Sequence, residues 1–500
     1  MMSEIHDTTW DRLIDGRRAK HESHVAGGGY PHRFERSHLA ADLHERYADL
    51  PPASDTADRV TVAGRLMLHR SFGKLQFGTL QDGSGHIQLF VDRRVAGEET
   101  AELFADLDLG DWIGVTGEIM TTKRGELSVN VEEMTLLQKA LRPLPDKWHG
   151  LVDIETRSRR RYVDLMVNEE ARRVAVTRAR VVSELRREFE SRGFVEVETP
   201  VLLSQATGAL ARPFTTRHNA LDIELQLRIA TELYLKRLVV GGMDRVFEIG
   251  RIFRNEGIDA THSPEFTMLE AYQALADYTD IMTLVEEVIS SVARSATGRT
   301  ETTYRGRELS FATPYQRVTL EDLVSRFVGE EVSMDTDPMV LEGMLTGHGV
   351  TLSEEAGTGK LLFELYSLAY REVWEPTFVI DFPTQVSPLS REHRDDPRLT
   401  ERFELVIAGA EYCNAFSELN DADVQRARFE AQSAARAGGD EEAHVIDDDY
   451  IQALEYGLPP TGGLGIGVDR LVMLLTDQVH IREVILFPTM RPEQHEGGDR

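Results

Sequence analysis

The chain has 500 residues, 41% of them hydrophobic and 28% charged, with a formal charge of −29. That composition belongs to a globular protein too long for one ordinary core, so two or more domains are expected. No apolar run is long enough to span a bilayer, MMSEIHDTTW lacks the apolar core of a signal peptide, and the charge opposes generic attraction to nucleic acid, so a cytoplasmic protein without a membrane partner is expected.

Residues 1–55 begin in a helical pattern and run into YPHRFERSHLAADLHERYADLPP, a second helical stretch closed by Pro51 and Pro52, which together read as an N-terminal helical extension. Five strand-like runs separated by turn signals follow: VTVAGRLMLHR, LQFGTLQDGSG, HIQLFVDRR, WIGVTGEIMTT and LSVNVEEMTLL. Five short strands fit a small barrel over residues 56–142. An OB-fold has this strand count and binds single-stranded nucleic acid through stacking aromatics and polar side chains. Phe77 and Gln88 could form such a platform and Glu126 could read a base edge, with core or surface roles as the alternative.

LRPLPDKWHG, residues 141–150, carries two prolines and marks a linker, drawn over residues 143–165. Two arginine clusters come next: Arg157, Arg159, Arg160 and Arg161, then Arg172, Arg173, Arg178 and Arg180. Each arginine fits a solvated helix face or a phosphate contact equally well. Val174, Val181, Leu185 and Phe189 fall on one face of a helix stopped near Gly193, and GFVEVETPVL reads as a short strand ended by Pro200. Residues 275–385 read as a mostly helical insertion within a domain spanning 166–500. AGTGKL inside it is not a phosphate-binding loop, because position 354 is Glu and position 361 is Leu.

The chemistry concentrates in three stretches. FEIGRIFRNEGIDATHSPEFTMLEAY, residues 247–272, reads as two strands joined by a loop that holds Glu256 and His262, and on its second strand Phe266, Met268, Glu270 and Tyr272 share a face. A carboxylate among core-type residues is costly if buried unpaired, so the strand is either edge-exposed or lines a pocket. EYCNAFSEL repeats the pattern with Asn414, Phe416 and Glu418. Two carboxylates beside aromatics would suit a cation with an apolar stem, such as lysine; the alternative is that both glutamates pair with nearby arginines. TGGLGIGVDRLVMLLT places Gly463, Gly465 and Gly467 at period two, then Asp469 as an N-cap and Arg470 opening a helix. Bare backbone there would admit a flat purine, with Arg470 stacking on it or meeting phosphate, although tight helix–strand packing gives the same spacing.

GFVEVETP, FRNEGIDATHSPEFTMLEAY and GLGIGVDR resemble, in order, motifs 1, 2 and 3 of the class II aminoacyl-tRNA synthetases. Longer runs, among them FGTLQDGSGHIQLFV, ELYLKRLVVGG, ERFELVIAGAEYCNAFSELND and LPPTGGLGIGVDRLVMLLTD, resemble the bacterial lysyl-tRNA synthetases over nearly the whole chain. The resemblance implies an α+β multidomain protein, with an N-terminal OB-fold β-barrel for the anticodon followed by a class II catalytic domain, an antiparallel sheet flanked by helices. It implies a homodimer through motif 1, L-lysine, ATP and tRNA(Lys) as partners, and Mg²⁺ as cofactor. Residue by residue, it assigns lysine binding to Gly208, Glu232, Glu270, Tyr272, Asn414, Phe416 and Glu418. Arg254, Glu256 and Arg470 would be catalytic: Arg254 bridges the lysine carboxylate and the ATP α-phosphate, and Glu256 and His262 meet the nucleotide. Phe266 and Arg470 would sandwich the adenine, and Glu404 and Glu411 would hold Mg²⁺. Strand parity puts Glu411 out of phase with Asn414, so that last pair requires a bulge or a local twist. Phe77, Gln88 and Glu126 match the family's anticodon positions.

The chain departs from the family pattern beside these positions. Thr207 stands for a glycine, Thr231 for a proline, Ser263 for an asparagine and Ala410 for an arginine. Aspartyl- and asparaginyl-tRNA synthetases share the three motifs, but their pockets should favour cationic groups. The HIGH and KMSKS signatures of class I are absent. A non-catalytic regulatory paralogue is opposed by Arg254, Glu256 and Arg470, and a lysine ligase acting on protein by the OB-like region.

Overall fold

The computed structural model describes residues 2–145, 151–209, 211–350, 352, 356–437 and 446–493, and the chain divides after Gly150 into two units. Part of the expected linker, residues 146–150, lies outside the described residues.

The first unit holds α1 (Met2–Ala26), α2 (Ala40–Arg46), β1 (Asp55–Phe72), β2 (Leu75–Gln81), β3 (His86–Asp92), α3 (Arg93–Asp106), β4 (Trp112–Thr121) and β5 (Leu127–Gln138). Its strands close into a barrel of order β1-β2-β3-β5-β4. Alternation drives the closure: Ile87, Leu89 and Val91 of β3 are buried inside with Val60, Val62, Ile113, Val115, Val129 and Val131, while the residues between them face out. The second expected helix is shorter than its sequence stretch, because helical geometry is confined to Ala40–Arg46. The N-terminal helical extension is packed onto the barrel. Ala40 and Leu43 are buried in the barrel core, Ala40 N–H donates to Asp82, and Arg17 donates to the carbonyls of Ala140 and Arg142. Helix α3 was not foreseen, and it buries Phe104 against the barrel.

The second unit begins with α4 (Ile154–Arg159) and α5 (Arg161–Val167), where a linker was expected. Arginine spacing is the reason: Arg161 reaches Asp164 one turn on at 2.5 Å, and Arg157 pairs with Asp164 at 2.9 Å and Glu483 at 3.0 Å. Then follow α6 (Glu169–Ser191), β6 (Val195–Glu196), β7 (Leu202–Leu203), β8 (Thr215–His218), β9 (Ile223–Leu227), α7 (Glu232–Val240), β10 (Arg245–Phe253) and β11 (Glu265–Ala274). After these come α8 (Tyr278–Thr297), β12 (Glu301–Tyr304), β13 (Arg307–Ser310), β14 (Gln316–Thr319), α9 (Leu320–Val328), α10 (Pro338–Gly347), α11 (Thr358–Ala369), β15 (Thr377–Pro383), β16 (Leu399–Ile407) and β17 (Ala410–Ser417). The unit ends with α12 (Ala422–Ala437), α13 (Asp448–Glu455), β18 (Thr461–Gly467), α14 (Val468–Thr476) and α15 (Ile481–Val484).

Eight strands form one sheet in the order β14-β15-β16-β17-β18-β11-β10-β6, antiparallel except for the β14–β15 and β6–β10 pairs at its two ends. Helices α6, α8 and α14 bury one face of it: Val181, Leu185 and Phe189 pack with Leu269, Ala271, Leu464 and Ile466. The opposite face carries the polar set. Residues 275–385 are therefore not a separable helical insertion, since α8 belongs to the main core and β14 and β15 belong to the sheet. The excursion is the α9–α11 layer, with its own core around Leu341, Leu361 and Leu365. The strands here are short runs of four and seven residues, which helix-period reading overlooks.

Candidate active site

Strands β10 and β11 are adjacent and antiparallel, and β11 also pairs with β18, which pairs with β17. Glu270 and Asn414 thus flank Gly465 from either side, while Tyr272 and Phe416 flank Gly463. Gly463 explains why the period-two glycines matter: a Cβ there would sink into Glu418 Oε1 and the Tyr272 ring. Leu464 and Ile466, pointing the other way, stay in the core.

All seven expected lysine-binding residues line one cavity of about 250 Å³. Its floor is acidic. Glu270 and Glu418 are 4% and 1% exposed, and Glu270 Oε2 and Glu418 Oε1 have no hydrogen-bond partner among the described residues. Burial, reinforced by the Glu232 charge, pushes the Glu270 carboxyl up to about 7 against the hydrogen bonds from Thr231 and the charge of Arg254. Thr231 N–H donates to Glu270 Oε1 at 3.2 Å. The pairing of both glutamates with arginine, the alternative reading, does not occur among the described residues. Glu418 Oε2 instead meets Lys236, whose Nζ also donates to Glu232 Oε1 at 2.6 Å. Lys236 was missed, although its place four residues after Glu232 on α7 puts both on one helix face.

Arg402 was also missed. Its Nε donates to Asn414 Oδ1 at 3.0 Å and its Nη2 to Glu404 Oε1 at 2.6 Å. Accepting at Oδ1 fixes the Asn414 amide so that its NH₂ is left to donate into the cavity.

A second cavity of about 370 Å³ adjoins the first through Arg254, Met268, Asn414 and Gly465. Glu256, His262, Phe266, Glu411 and Arg470 line it. The Arg254 guanidinium lies over the Phe266 ring, 5.2 Å from its centroid. Arg470 Nη2 is 3.2 Å from His262 Nε2. Arginine only donates, so Nε2 accepts and His262 Nδ1–H donates to Asp259 at 2.8 Å. Asp469 is not the N-cap of α14; Gly467 is. Asp469 sits in the first turn and accepts from Thr267 N–H at 2.6 Å and Arg178 at 2.5 Å, tying the helix to β11. Arg178 of the second arginine cluster is thereby structural, as are Arg157 and Arg161 of the first.

Of the two ways to bring Glu411 into phase, a bulge or a local twist, the sheet contains a bulge. The β16–β17 register shifts between Leu405 and Val406, which pair with Cys413 and Glu411, leaving Tyr412 as the extra residue. Consecutive Tyr412 and Cys413 are both buried, and Glu411 moves to the side of Asn414. Glu404 is not on the wall of that cavity. It is 5% exposed, Tyr366 Oη donates to Oε2 at 2.6 Å, and Arg402 holds Oε1. Burial and the nearby Glu411 push its carboxyl up to about 7. Among the described residues no group of three or more carboxylate, histidine or cysteine side chains could hold a metal. The pair still fits a divalent cation in one respect: two like charges raise each other's energy, and each Glu404 oxygen keeps a second lone pair.

On the barrel, Phe77, Gln88 and Glu126 line one groove with Phe72, Phe90 and the cationic Lys123 and Arg124. Phe77 and Phe90 are cross-strand partners with ring centroids 5.3 Å apart. Gln88 Nε2 donates to Ser128 Oγ at 2.8 Å.

The family described as tRNA synthetases class II (D, K and N) matches residues 153–491, and the OB-fold nucleic acid binding domain matches residues 60–137. The chain is 49% identical to the lysine–tRNA ligase of Synechococcus sp. (strain RCC307) over 99% of its own length and 98% of that protein's. It is 50% identical to the lysine–tRNA ligases of Moorella thermoacetica, over 92% of the chain and 94% of the relative, and Enterococcus faecalis, over 92% and 93%. An OB-fold barrel, an eight-stranded class II sheet and this similarity across nearly the whole length lead to one family: the chain belongs to the class II tRNA synthetases, among the lysine–tRNA ligases.

Proposed function

We propose that the chain activates L-lysine with ATP to lysyl-adenylate and pyrophosphate, then transfers lysine to the 3′-terminal adenosine of tRNA(Lys). The observation that carries the lysine assignment is the pair of unpartnered buried oxygens, Glu270 Oε2 and Glu418 Oε1, in a cavity walled by Tyr272 and Phe416. An ammonium on an aliphatic stem satisfies both, whereas an aspartate side chain would meet only repulsion. Gly208 and Glu232 complete the wall around the substrate amine.

In the first step the lysine carboxylate attacks the α-phosphorus in line, the new C–O–P bond forms as the α–β bridging P–O bond breaks, and pyrophosphate leaves. No protein nucleophile is needed; orientation and charge neutralisation carry the step. Arg254 stands where the two cavities adjoin, suited to hold the lysine carboxylate and the α-phosphate together, with Asn414 NH₂ as a second donor. Phe266 and Arg470 take the adenine between them against the bare backbone of Gly465 and Gly467, and Glu256 and His262 orient the nucleotide. A Mg²⁺ held by Glu411 and Glu404 would neutralise phosphate charge. In the second step a terminal ribose hydroxyl attacks the lysyl carbonyl, and AMP leaves with the bond electrons. The groove of Phe77, Gln88 and Glu126 serves the anticodon by stacking and edge hydrogen bonds.

A homodimer through motif 1 is favoured by exposed apolar side chains in and next to that segment, Val195 within it and Val201 and Leu202 just after it. A cytoplasmic location accords with the absence of any helix among the described residues long and apolar enough to cross a membrane.

ATP–pyrophosphate exchange measured with each of the twenty amino acids tests the reading. Lysine is expected to support exchange and aspartate and asparagine to give background; exchange with aspartate alone overturns it.

A further inference from the structure

Lys236 has no part in the reaction as written, yet it bridges two of the carboxylates that line the acidic pocket, Glu232 and Glu418. Its side chain is completely buried. Its Nζ joins Glu232 Oε1 to Glu418 Oε2 and lies 5.9, 5.5 and 6.0 Å from the ring centroids of Tyr272, Phe416 and Tyr450. Burial by itself would strip its proton, but the two carboxylates outweigh burial and its pKa is raised, so it stays charged.

Stability alone is a poor account of such a group. Buried ion pairs are often matched or bettered by apolar side chains of the same volume, and a lysine gives up much rotamer freedom when fixed. Geometry offers another role. Glu418 has two oxygens: Lys236 takes Oε2, and Oε1 is left facing Gly463 and Tyr272 in the cavity. Charge points the same way. Glu232, Glu270 and Glu418 would place three negative charges in one buried site; Lys236 reduces them to two, and a lysine substrate carries two ammonium groups.

We infer that Lys236 is a positioning residue for substrate recognition: by holding Glu418 through one oxygen it presents the other to the substrate ammonium, and its charge matches the pocket to a diamino acid. This rests on the reading of the cavity as the lysine site. The charged and titratable groups facing Glu418 are Lys236 and Glu232 from α7, Glu270 and Tyr272 from β11, and Tyr450 from α13. The segment bridged to Glu418 at Ser390 adds Arg391 and Glu392, both exposed. Burial pushes the Glu418 carboxyl up, and Lys236 is the cation that opposes this. Without Lys236, Glu418 takes up a proton that must leave before an ammonium can bind.

The test is lysine-dependent ATP–pyrophosphate exchange by the full-length chain between pH 6.5 and 9, for the wild type, Lys236→Met, Lys236→Gln and Lys236→Arg. K236M is expected to raise KM for lysine at least tenfold at pH 7, to leave KM for ATP within twofold, and to narrow the lysine gap as pH rises. K236R, which keeps the charge, is expected to recover part of the lost affinity. A folded K236M with the lysine KM and pH profile of the wild type overturns the inference, even if its melting temperature has changed. Should K236M not fold, K236Q, which keeps a hydrogen-bond donor and removes the charge, gives the same comparison with the same overturning result. Failure of the wild type to use lysine at all would instead remove the reading on which the inference rests.

Discussion

At the scale of single residues, the site is governed by how many partners each buried carboxylate has. Glu270 titrates near 7, and an ammonium binds its ionised form, so kcat/KM for lysine should rise with pH through that region and level off above it. Binding near neutral pH should release protons, which calorimetry in buffers of different ionisation enthalpy would read. Glu270→Gln removes the charge-assisted partner and should cost roughly 1.5–3 kcal/mol of lysine affinity, with ATP affinity retained; an unchanged lysine constant would take Glu270 out of the pocket. Thr231 shows how a departure from the family pattern acts. A proline in its place has no N–H, whereas Thr231 N–H donates to Glu270 Oε1. Thr231→Pro should push the Glu270 carboxyl further up and weaken lysine binding by about 1 kcal/mol at pH 6.5 but little at pH 9, as equilibrium binding at the two pH values would reveal.

At the scale of elements, side-chain alternation made the strands readable and helix period made α6 readable. Met268, Glu270 and Tyr272 face the site, while Leu269 and Ala271 face away, because parity on a paired strand leaves no other choice. Parity failed where the strand breaks its own period. Glu411 joined the site through an extra residue, Tyr412, and the need for a bulge or a twist was legible while its kind and position were not. Lys236 and Arg402 were hard to read for another reason: each acts through side chains brought together from separate elements, and a lysine four residues after a glutamate looks in sequence like a solvated helix face. Asp469 was misplaced by two positions because an acidic residue at the start of a helix resembles a cap, though it is spent on Thr267 and Arg178. On the barrel, Phe77→Ala should leave lysine-dependent exchange intact and weaken tRNA charging, as one stacked base is worth roughly 1–3 kcal/mol; an equal fall in both steps would remove the groove from anticodon binding.

For the whole molecule, a charge of −29 has to coexist with an RNA substrate. Long-range attraction is absent, so affinity for tRNA must come from local cations such as Lys123 and Arg124 and from stacking, which salt does not screen. Binding of the full chain to tRNA should therefore fall with salt by a slope set by few phosphate contacts, while unrelated RNA binds weakly at every ionic strength; filter binding from 50 to 300 mM salt distinguishes this from generic attraction. The division into two units was visible in the change from barrel-like strands to mixed elements near residue 150, but the helices α4 and α5 were hidden by a run of arginines that reads as surface.

The glycines of β18 give the site an asymmetry toward mutation. Glycine is the smallest residue, so every missense change at Gly463 adds atoms, and the first of them meets Glu418 and Tyr272. Neighbouring Leu464 and Ile466 can exchange for other aliphatics of similar volume. In a saturation library selected for growth on this enzyme alone, the strand should therefore appear as alternating columns: intolerant of any change at Gly463, permissive of hydrophobic change at Leu464. The active site leaves its outline in the genetics of one strand.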